Sequence, residues 1–271
     1  MSQSKDYTFI REYLHYNFGL ELPEKLRPLT SSKLSLFAKK YKIKDWVSFL
    51  SGLKKSLNDE IVDDFIDIFV VGHTSFFRNR KQFDFLKKTI LPEFLSTNSS
   101  NETIDLRIWS AGCSTGEEPY SILISLMEYF GKNYSDIICG VLATDISQKS
   151  LDNAIRGQYA NVKAGSKIKQ YLAPYIRNVG DETFEMKKSV RKEVTFRKFN
   201  LTKRIYPFKD RFHIIFCRNV LFYFSDECRH RAQSKIADSL DQGGYLFLGD
   251  AEKFDFKIYG LSRIGNGIYR K

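Results

Sequence analysis

A strand-like run, a glycine turn and a helix-like stretch follow one another directly between Leu106 and Phe130. The run from Leu106 to Ala111 has the length and apolar content of a buried strand. Gly112 opens the turn, and Pro119 lies in the first turn of the helix, where its missing N–H costs nothing. This order is typical of a doubly wound α/β domain, in which such a turn holds a cofactor. The segment therefore predicts an α/β fold with a cofactor loop.

The alternation of short apolar runs with helix-like stretches continues along the chain. It predicts further strands at Ile138 to Ala143, Phe212 to Cys217 and Tyr245 to Leu248, and helices from about Ser147 and from about Asp226 to Leu240. Strands that alternate with helices form a parallel sheet. Two more strand-like segments, Thr183 to Met186 and Val190 to Phe196, predict a small β insertion at about 171–199.

Residues 1–95 have a different pattern, with apolar side chains at helical spacing and few β-branched alternations. The polar segment from Ser96 to Thr103, which precedes the change to strand patterns, is typical of a linker. The sequence therefore predicts a small all-helical N-terminal domain at 1–95 and an α/β domain at 96–271.

Positive charge dominates this chain of 271 residues, whose formal net charge is +11. The excess lies in two stretches: Lys25 to Lys55 has nine basic residues and one acid, and Arg156 to Arg211 has fifteen and five. Most charge runs are solvated faces. If these two are functional, their partner is acidic, and nucleic acid or an acidic protein surface would satisfy them equally well.

The four cysteines and four histidines are scattered without metal-ligand spacing, so we expect no metal site and reduced, mostly buried thiols. The first residues lack the apolar core of a signal peptide, and the apolar runs are too short to span a bilayer. These features favour a cytoplasmic protein that does not insert into a membrane, and a monomer is the default.

Two acids, Glu117 and Glu118, stand where the predicted helix begins. A dinucleotide-binding domain would place its pyrophosphate there, and two carboxylates would repel it. They would suit a cofactor with positive charge and no phosphate, such as S-adenosylmethionine. Asp145 follows the second strand, where a carboxylate can accept hydrogen bonds from ribose hydroxyls. An Asp after a strand is more often a helix N-cap, and Ser147 competes for that position.

Three segments resemble the CheR family of chemotaxis methyltransferases: Ile108 to Ser121, Ala143 to Ile146 and Ile215 to Phe224. The resemblance extends over nearly the whole chain, including the helical region and the β insertion. It implies a class I S-adenosylmethionine-dependent methyltransferase fold. It also implies a protein-glutamate O-methyltransferase that esterifies glutamates on the cytoplasmic helices of chemoreceptors and releases S-adenosylhomocysteine. In some members the β insertion also docks a receptor C-terminal tail peptide.

The resemblance implies a set of site residues. In the family, an Asn-x-Thr-x-Phe-Phe-Arg segment closes over the cofactor; the segment from Gly72 to Arg78 matches it except at Gly72, so one contact should be missing or supplied by His73 or a water. The family's Gly-His-Ser-Glu is Gly249 to Glu252 here, with Asp250 and Ala251 as departures. The implied cofactor-binding residues are Thr74, Arg78, Gly112, Glu118, Asp145, Asn200, Leu201, Arg218 and Asn219, and the implied catalytic residues are Arg78 and Tyr223.

Methyl transfer to a glutamate needs no general base, because a carboxylate with a pKa of about 4.3 is already ionised at neutral pH. Alignment and exclusion of water should supply the catalysis. We therefore expect Arg78 and Tyr223 to orient the substrate glutamate rather than activate it.

Two alternatives remain open from the sequence. A nucleic-acid methyltransferase would suit the charge, but the amino-group enzymes have an Asn/Asp-Pro-Pro-aromatic motif where this chain has Arg218 to Leu221, and Cys217 lacks the preceding proline of a cytosine-C5 enzyme. Both nucleic-acid chemistries are therefore disfavoured, and we expect no nucleic-acid partner. A non-catalytic receptor-binding adaptor that retains the fold would account for the departures at Gly72 and at Asp250 and Ala251. The intact site residues argue against it: Arg78, Glu118, Asp145, Asn219 and Tyr223.

Overall fold

The structure is a computed structural model that describes residues 3–22, 24, 27–53, 59–70, 72, 74–97 and 104–271. His73 and most of the predicted linker lie outside the described residues. No helix among the described residues is long and apolar enough to cross a membrane.

The first part of the chain is helical, as the spacing of its apolar residues predicts. Its helices are α1 (Gln3–Phe18), α2 (Arg27–Lys40), α3 (Trp46–Leu53) and α4 (Asp59–Asp67). They pack around the fully buried Phe65, whose ring centroid lies 5.2 to 6.2 Å from those of Tyr13, Phe37, Trp46 and Phe69. Aromatic burial of this kind holds short helices together that would be marginal alone.

The next helical segment packs against the sheet instead. It consists of α5 (Arg80–Phe85), a π-helical turn (Leu86–Ile90) and α6 (Leu91–Thr97). Phe83, Leu86 and Leu91 join the apolar cluster that also contains Leu106 and Tyr120. The division of the chain near residue 95 stays a prediction.

The rest of the chain is α/β, as predicted. Its strands and helices are β1 (Ile104–Ala111), α7 (Glu117–Phe130), β2 (Ile137–Asp145), α8 (Gln148–Arg156), β3 (Gln158–Ala160), α9 (Asn161–Leu172), β4 (Ile176–Asn178), β5 (Thr183–Met186), α10 (Lys188–Arg191), β6 (Val194–Lys198), β7 (Phe212–Cys217), α11 (Asp226–Ser239), β8 (Leu240–Leu248), β9 (Ser262–Gly265) and β10 (Ile268–Arg270).

Within the described residues, seven strands form one mixed sheet in the order β6-β2-β1-β7-β8-β10-β9. The first five are parallel, and β10 runs antiparallel to β8 and β9. Alternate residues of the central strands β1 and β7 enter different clusters. Trp109 and Ile215 belong to the cluster that contains the N-terminal helices and α11, and Ile108 and Ile214 belong to the one that contains α5 to α7. The chain thus has a doubly wound class I methyltransferase fold preceded by helices.

A second sheet, in the order β3-β5-β4, forms the small β insertion. The strands that form this sheet are not all those expected from the insertion predicted at 171–199. Gln158–Ala160 contributes a strand from before that range, whereas Val194–Lys198 pairs in parallel with β2 and belongs to the main sheet. The strand-like segment from Val190 to Phe196 predicted a strand there, but its pattern does not specify a partner, and Val190 and Arg191 lie in the helix α10.

Candidate active site

A cleft lies at the carboxyl edge of the main sheet, between β1 and β7, where the chain crosses over to opposite sides of β1. Open sheets bind ligands at such a switch point. The cleft, counted together with its open mouth, has a volume of about 870 Å³. Every site residue named from the sequence lines it: Thr74, Arg78, Gly112, Glu118, Asp145, Asn200, Leu201, Arg218, Asn219 and Tyr223. The structure brings these residues together, and their individual roles stay predictions.

The glycine turn forms the floor of the cleft. The N–H groups of Gly112 and Cys113 both donate to the carbonyl of Thr144, at 2.7 and 2.9 Å, and this fixes the turn against the end of β2. Gly112 has a φ of +81°, and a Cβ there would lie 2.3 Å from Cγ2 of Val220. Only glycine fits both the backbone and the space.

The two acids at the start of α7 have different surroundings. Glu117 is fully buried, and its Oε2 accepts a hydrogen bond from Oγ1 of Thr115 at 2.6 Å. Glu118 lines the cleft, and its Oε1 accepts from Oγ of Ser110 at 2.8 Å. The expectation of two carboxylates facing a cationic cofactor is therefore corrected to one, because consecutive helical residues lie about 100° apart around the axis.

Glu118 is also paired with Arg218 across the cleft wall, with 3.2 Å between Oε2 and Nη1. The two side chains are 12% and 3% exposed. Burial raises the pKa of the Glu118 carboxyl above its ordinary value of 4.5, and the Arg218 guanidinium opposes that rise. Arg218 donates from Nη2 to the carbonyl of Arg78 at 2.5 Å, so it connects α7 to the segment containing Arg78.

Asp145 ends β2 with both carboxylate oxygens held by backbone donors. Oδ2 accepts from the N–H of Ser114 at 2.8 Å and Oδ1 from that of Ser147 at 2.9 Å. Burial raises the pKa of this carboxyl above its ordinary value of 3.8, and these N–H groups oppose the rise. Ser147 is the N-cap of α8, accepting from the N–H of Ser150 at 3.0 Å. Asp145 is therefore not the helix cap and faces the cleft.

Gly72 and Ser114 meet at one wall of the cleft. The hydroxyl of Ser114 donates to the carbonyl of Gly72 at 3.3 Å, and a Cβ at Gly72 would lie 2.8 Å from that hydroxyl oxygen. The Ser114 hydroxyl thus occupies the space that a side chain at position 72 would need. Sequence reasoning did not single out Ser114; its only signal was its place in the glycine turn.

Arg78 and Tyr223 lie at the open part of the cleft. Arg78 is exposed and stands between Phe77 and Asn79, whose φ angles of +52° and +60° are unusual for residues with a side chain. Strain of this kind concentrates at functional sites. Tyr223 is half-buried, and burial raises the pKa of its hydroxyl above 10.0, an effect that the nearby Arg78 opposes. The hydroxyl is therefore a neutral donor at physiological pH.

Glu252 holds the loop that contains Asn219. Its Oε1 accepts from the N–H groups of Val220 and Leu221 at 2.7 and 2.9 Å, and its Oε2 accepts from Gly249 at 2.6 Å. Asn219 itself has a φ of +62°. Sequence reasoning named Glu252 only as the end of a segment and missed this role.

The remaining predicted residues form the other side of the cleft. Oδ1 of Asn200 accepts from the N–H of Thr202 at 2.9 Å, Leu201 is buried, and Thr74 is partly exposed. At the departure Asp250, Oδ1 accepts from Nδ2 of Asn266 at 2.9 Å and from Nδ2 of Asn79 at 3.2 Å. In the described part of the chain, no group of three or more His, Cys, Asp or Glu side chains could hold a metal ion.

Comparisons with known proteins point to one family. Residues 72–263 match the family model described as CheR methyltransferase, SAM binding domain. The chain is similar to a chemotaxis protein methyltransferase of Borreliella burgdorferi, with 37% identity over 88% of this chain and 84% of that one. It is also similar to a chemotaxis protein methyltransferase of Listeria innocua, with 34% identity over 98% of this chain and 97% of that one. A third, from Pseudomonas aeruginosa, is 33% identical over 91% of this chain and 89% of its own.

Proposed function

This chain belongs to the CheR methyltransferase family, whose cofactor is S-adenosylmethionine, and we propose that it forms methyl esters on glutamate side chains of chemoreceptors. The observation that supports the proposal is that one cleft contains a wall of buried charged groups beside exposed Arg78 and half-buried Tyr223. The charged groups Glu118, Asp145 and Arg218 form what we call the cofactor wall, which suits a small charged cofactor. The side of the cleft with Tyr223, which we call the acceptor wall, suits a carboxylate delivered by a macromolecule. Arg78 is near both walls.

The cofactor wall has charged groups of both signs, as a zwitterionic amino-acid group requires. The Glu118 carboxylate can accept from an ammonium, and the Arg78 and Arg218 guanidinium groups can bind a carboxylate. Asp145 keeps a lone pair for the ribose hydroxyls, because its two oxygens together accept about four hydrogen bonds and the backbone N–H groups of Ser114, Ile146 and Ser147 take three at most. Asn200, Leu201, Thr74 and Asn219 complete the wall in this proposal.

When bound, S-adenosylmethionine supplies an electrophilic methyl group on a sulfonium. The attacking glutamate is already ionised at neutral pH, so the chain needs no general base to activate it. Tyr223 can donate a hydrogen bond to one oxygen of that glutamate, and Arg78 can hold it by charge. Both interactions orient the nucleophile.

A tight ion pair with the nucleophile would slow the reaction, because the carboxylate loses charge in the transition state. The exposure of Arg78 agrees with a weak, solvent-screened contact. The structure therefore supports orientation of the glutamate as the role of Arg78 and Tyr223.

The proposal is tested with a cytoplasmic receptor fragment and S-adenosylmethionine labelled in its methyl group. A glutamate methyl ester releases labelled methanol in alkali, whereas methylated nitrogen or carbon does not. We expect alkali-labile label on the fragment, and a fall in kcat of roughly tenfold for Tyr223→Phe and more for Arg78→Ala.

Alkali-stable label on the fragment would assign a different methyl acceptor. Binding of the fragment without any methyl transfer would support the adaptor reading instead. Unchanged rates in both variants would remove the orienting role from Arg78 and Tyr223. Docking of a receptor tail peptide on an edge strand of the β insertion stays a prediction.

A further inference from the structure

An exposed aromatic side chain stands beside the catalytic end of the cleft. Phe222 leaves 46% of its surface in solvent, and its ring centroid lies 4.4 Å from that of Tyr223. Single exposed apolar residues are normal on a protein surface and carry no meaning alone. Phe222 differs from the others in its position, because its neighbour in both sequence and space lines the cleft where methyl transfer is proposed.

The turn that presents Phe222 is held in place from two sides. Glu252 accepts from the N–H groups of Val220 and Leu221, as described above, and the carbonyl of Tyr223 accepts from the N–H of Glu21 at 2.8 Å. A bridge between Leu20 and Phe224 continues this contact. Phe222 is therefore exposed on a braced turn, as a rigid contact residue would be.

A polypeptide that brings a glutamate to Tyr223 comes within reach of Phe222, because the two rings are in contact. If that polypeptide is a helix, the side chains three or four residues from the glutamate lie on the same face, with Cβ atoms about 5–6 Å away. A side chain at that spacing from a glutamate held at Tyr223 can therefore reach the adjacent ring of Phe222.

We propose, on the basis of the function proposed above, that Phe222 is a substrate-positioning residue that packs against an apolar side chain three or four residues from the methylated glutamate. The contact selects which glutamates on a receptor helix enter the cleft. Phe222 thus contributes to acceptor affinity and takes no part in cofactor binding.

The first test compares Phe222→Ala with the intact enzyme on the receptor fragment. We expect KM for the fragment to rise about five- to tenfold, as for loss of part of a buried phenyl contact, with kcat at saturation within about twofold. The Kd for S-adenosylmethionine should not change. Phe222→Leu should recover part of the loss, because leucine keeps an apolar surface. Ile138→Ala is the matched control, since Ile138 is 60% exposed near the amino end of β2, away from the cleft.

The second test changes the receptor helix. Alanine at the apolar position three or four residues from the glutamate should raise the KM of the intact enzyme for the fragment. The same change should raise the KM of the Phe222→Ala enzyme little further. Alanine two residues away, on another face, should have no such effect. Independent effects of the two changes would overturn the contact, as would a wild-type KM for Phe222→Ala. If the intact enzyme does not methylate the fragment, the proposed function fails first and this inference fails with it.

Discussion

The two walls of the cleft are built in opposite ways. On the cofactor wall, Asp145 and Arg218 are buried, and Glu118 leaves only 12% of its side chain exposed. All three are hydrogen-bonded, and they lie at the ends of parallel strands or on the helix that follows. On the acceptor wall, Phe222 is exposed and Tyr223 is half-buried, and both lie on one turn, whereas Arg78 is near Glu118 as well as Tyr223 and so contributes to both walls. A buried wall fixes its charges before a small ligand arrives, whereas an exposed wall is completed only when a macromolecule covers it.

Because of this difference, we expect substitutions on the two walls to have different effects. Substitutions on the cofactor wall should alter stability and cofactor affinity together, because the same charges are buried in the folded state. Substitutions on the acceptor wall should alter receptor kinetics alone. An acceptor-wall variant that also changed cofactor affinity would contradict this separation of the two walls.

The largest expected effect is on folding. Arg218→Met removes the partner of Glu118, whose side chain is only 12% exposed, and breaking a buried pair costs about 3–5 kcal/mol. We expect the free energy of unfolding in urea to fall by about that amount. Adding Glu118→Gln should restore most of the loss, since no unpaired buried charge remains. A single variant as stable as the intact protein would show that the pair is not closed in solution.

Cofactor affinity should decrease in acid. The pKa values of Glu118 and Asp145 are raised above 4.5 and 3.8, so both carboxyls take up protons at a higher pH than ordinary ones. We expect Kd for S-adenosylmethionine to rise as the pH falls towards these raised pKa values.

The contribution of these two groups to stability has the opposite sign. The folded state binds more protons than the unfolded state between the ordinary and the raised pKa values, so their contribution to the unfolding free energy falls as the pH rises through that interval. Calorimetric titrations at several pH values measure the affinity, and urea unfolding measures the stability. A Kd that is independent of pH would contradict the assignment of these carboxylates to the cofactor.

A smaller effect is expected from the basic N-terminal stretch. Lys39 and Lys40 are both exposed, but Lys40 pairs with Asp64, so its charge is partly neutralised. Lys39→Glu therefore tests electrostatic steering without breaking an ion pair. We expect KM for the receptor fragment to rise roughly threefold at low salt and the difference to fade at high salt. A difference that persists at high salt would assign Lys39 to a direct contact.

The smallest effect concerns Gly72. An added side chain meets the Ser114 hydroxyl, which can rotate away, so Gly72→Asn should weaken cofactor binding by about threefold or less. Ser114→Ala in the same chain should relieve the crowding, and a double-mutant cycle measures the coupling. Additive effects would show that the two residues do not compete for this space.

The local parts of this account were predictable from the sequence. The glycine turn, Pro119 and the apolar run before them specify β1 and α7, because each depends on nearby residues. The partner of Val194–Lys198 was not predictable, since a strand pattern does not specify its neighbour. The pair between Glu118 and Arg218 joins residues far apart in the chain, and the burial of Glu117 depends on the rotation of α7.

The most direct test of the two-wall account is calorimetric titration of S-adenosylhomocysteine into the intact protein, Asp145→Ala and Tyr223→Phe. The account predicts saturable binding to the intact protein, a loss of affinity of about 100-fold or more in Asp145→Ala from two charge-assisted hydrogen bonds, and an unchanged Kd in Tyr223→Phe. Thermal unfolding of Asp145→Ala must first show a folded protein. Equal weakening by both substitutions, or full affinity in Asp145→Ala, would contradict the separation of the cofactor wall from the acceptor wall.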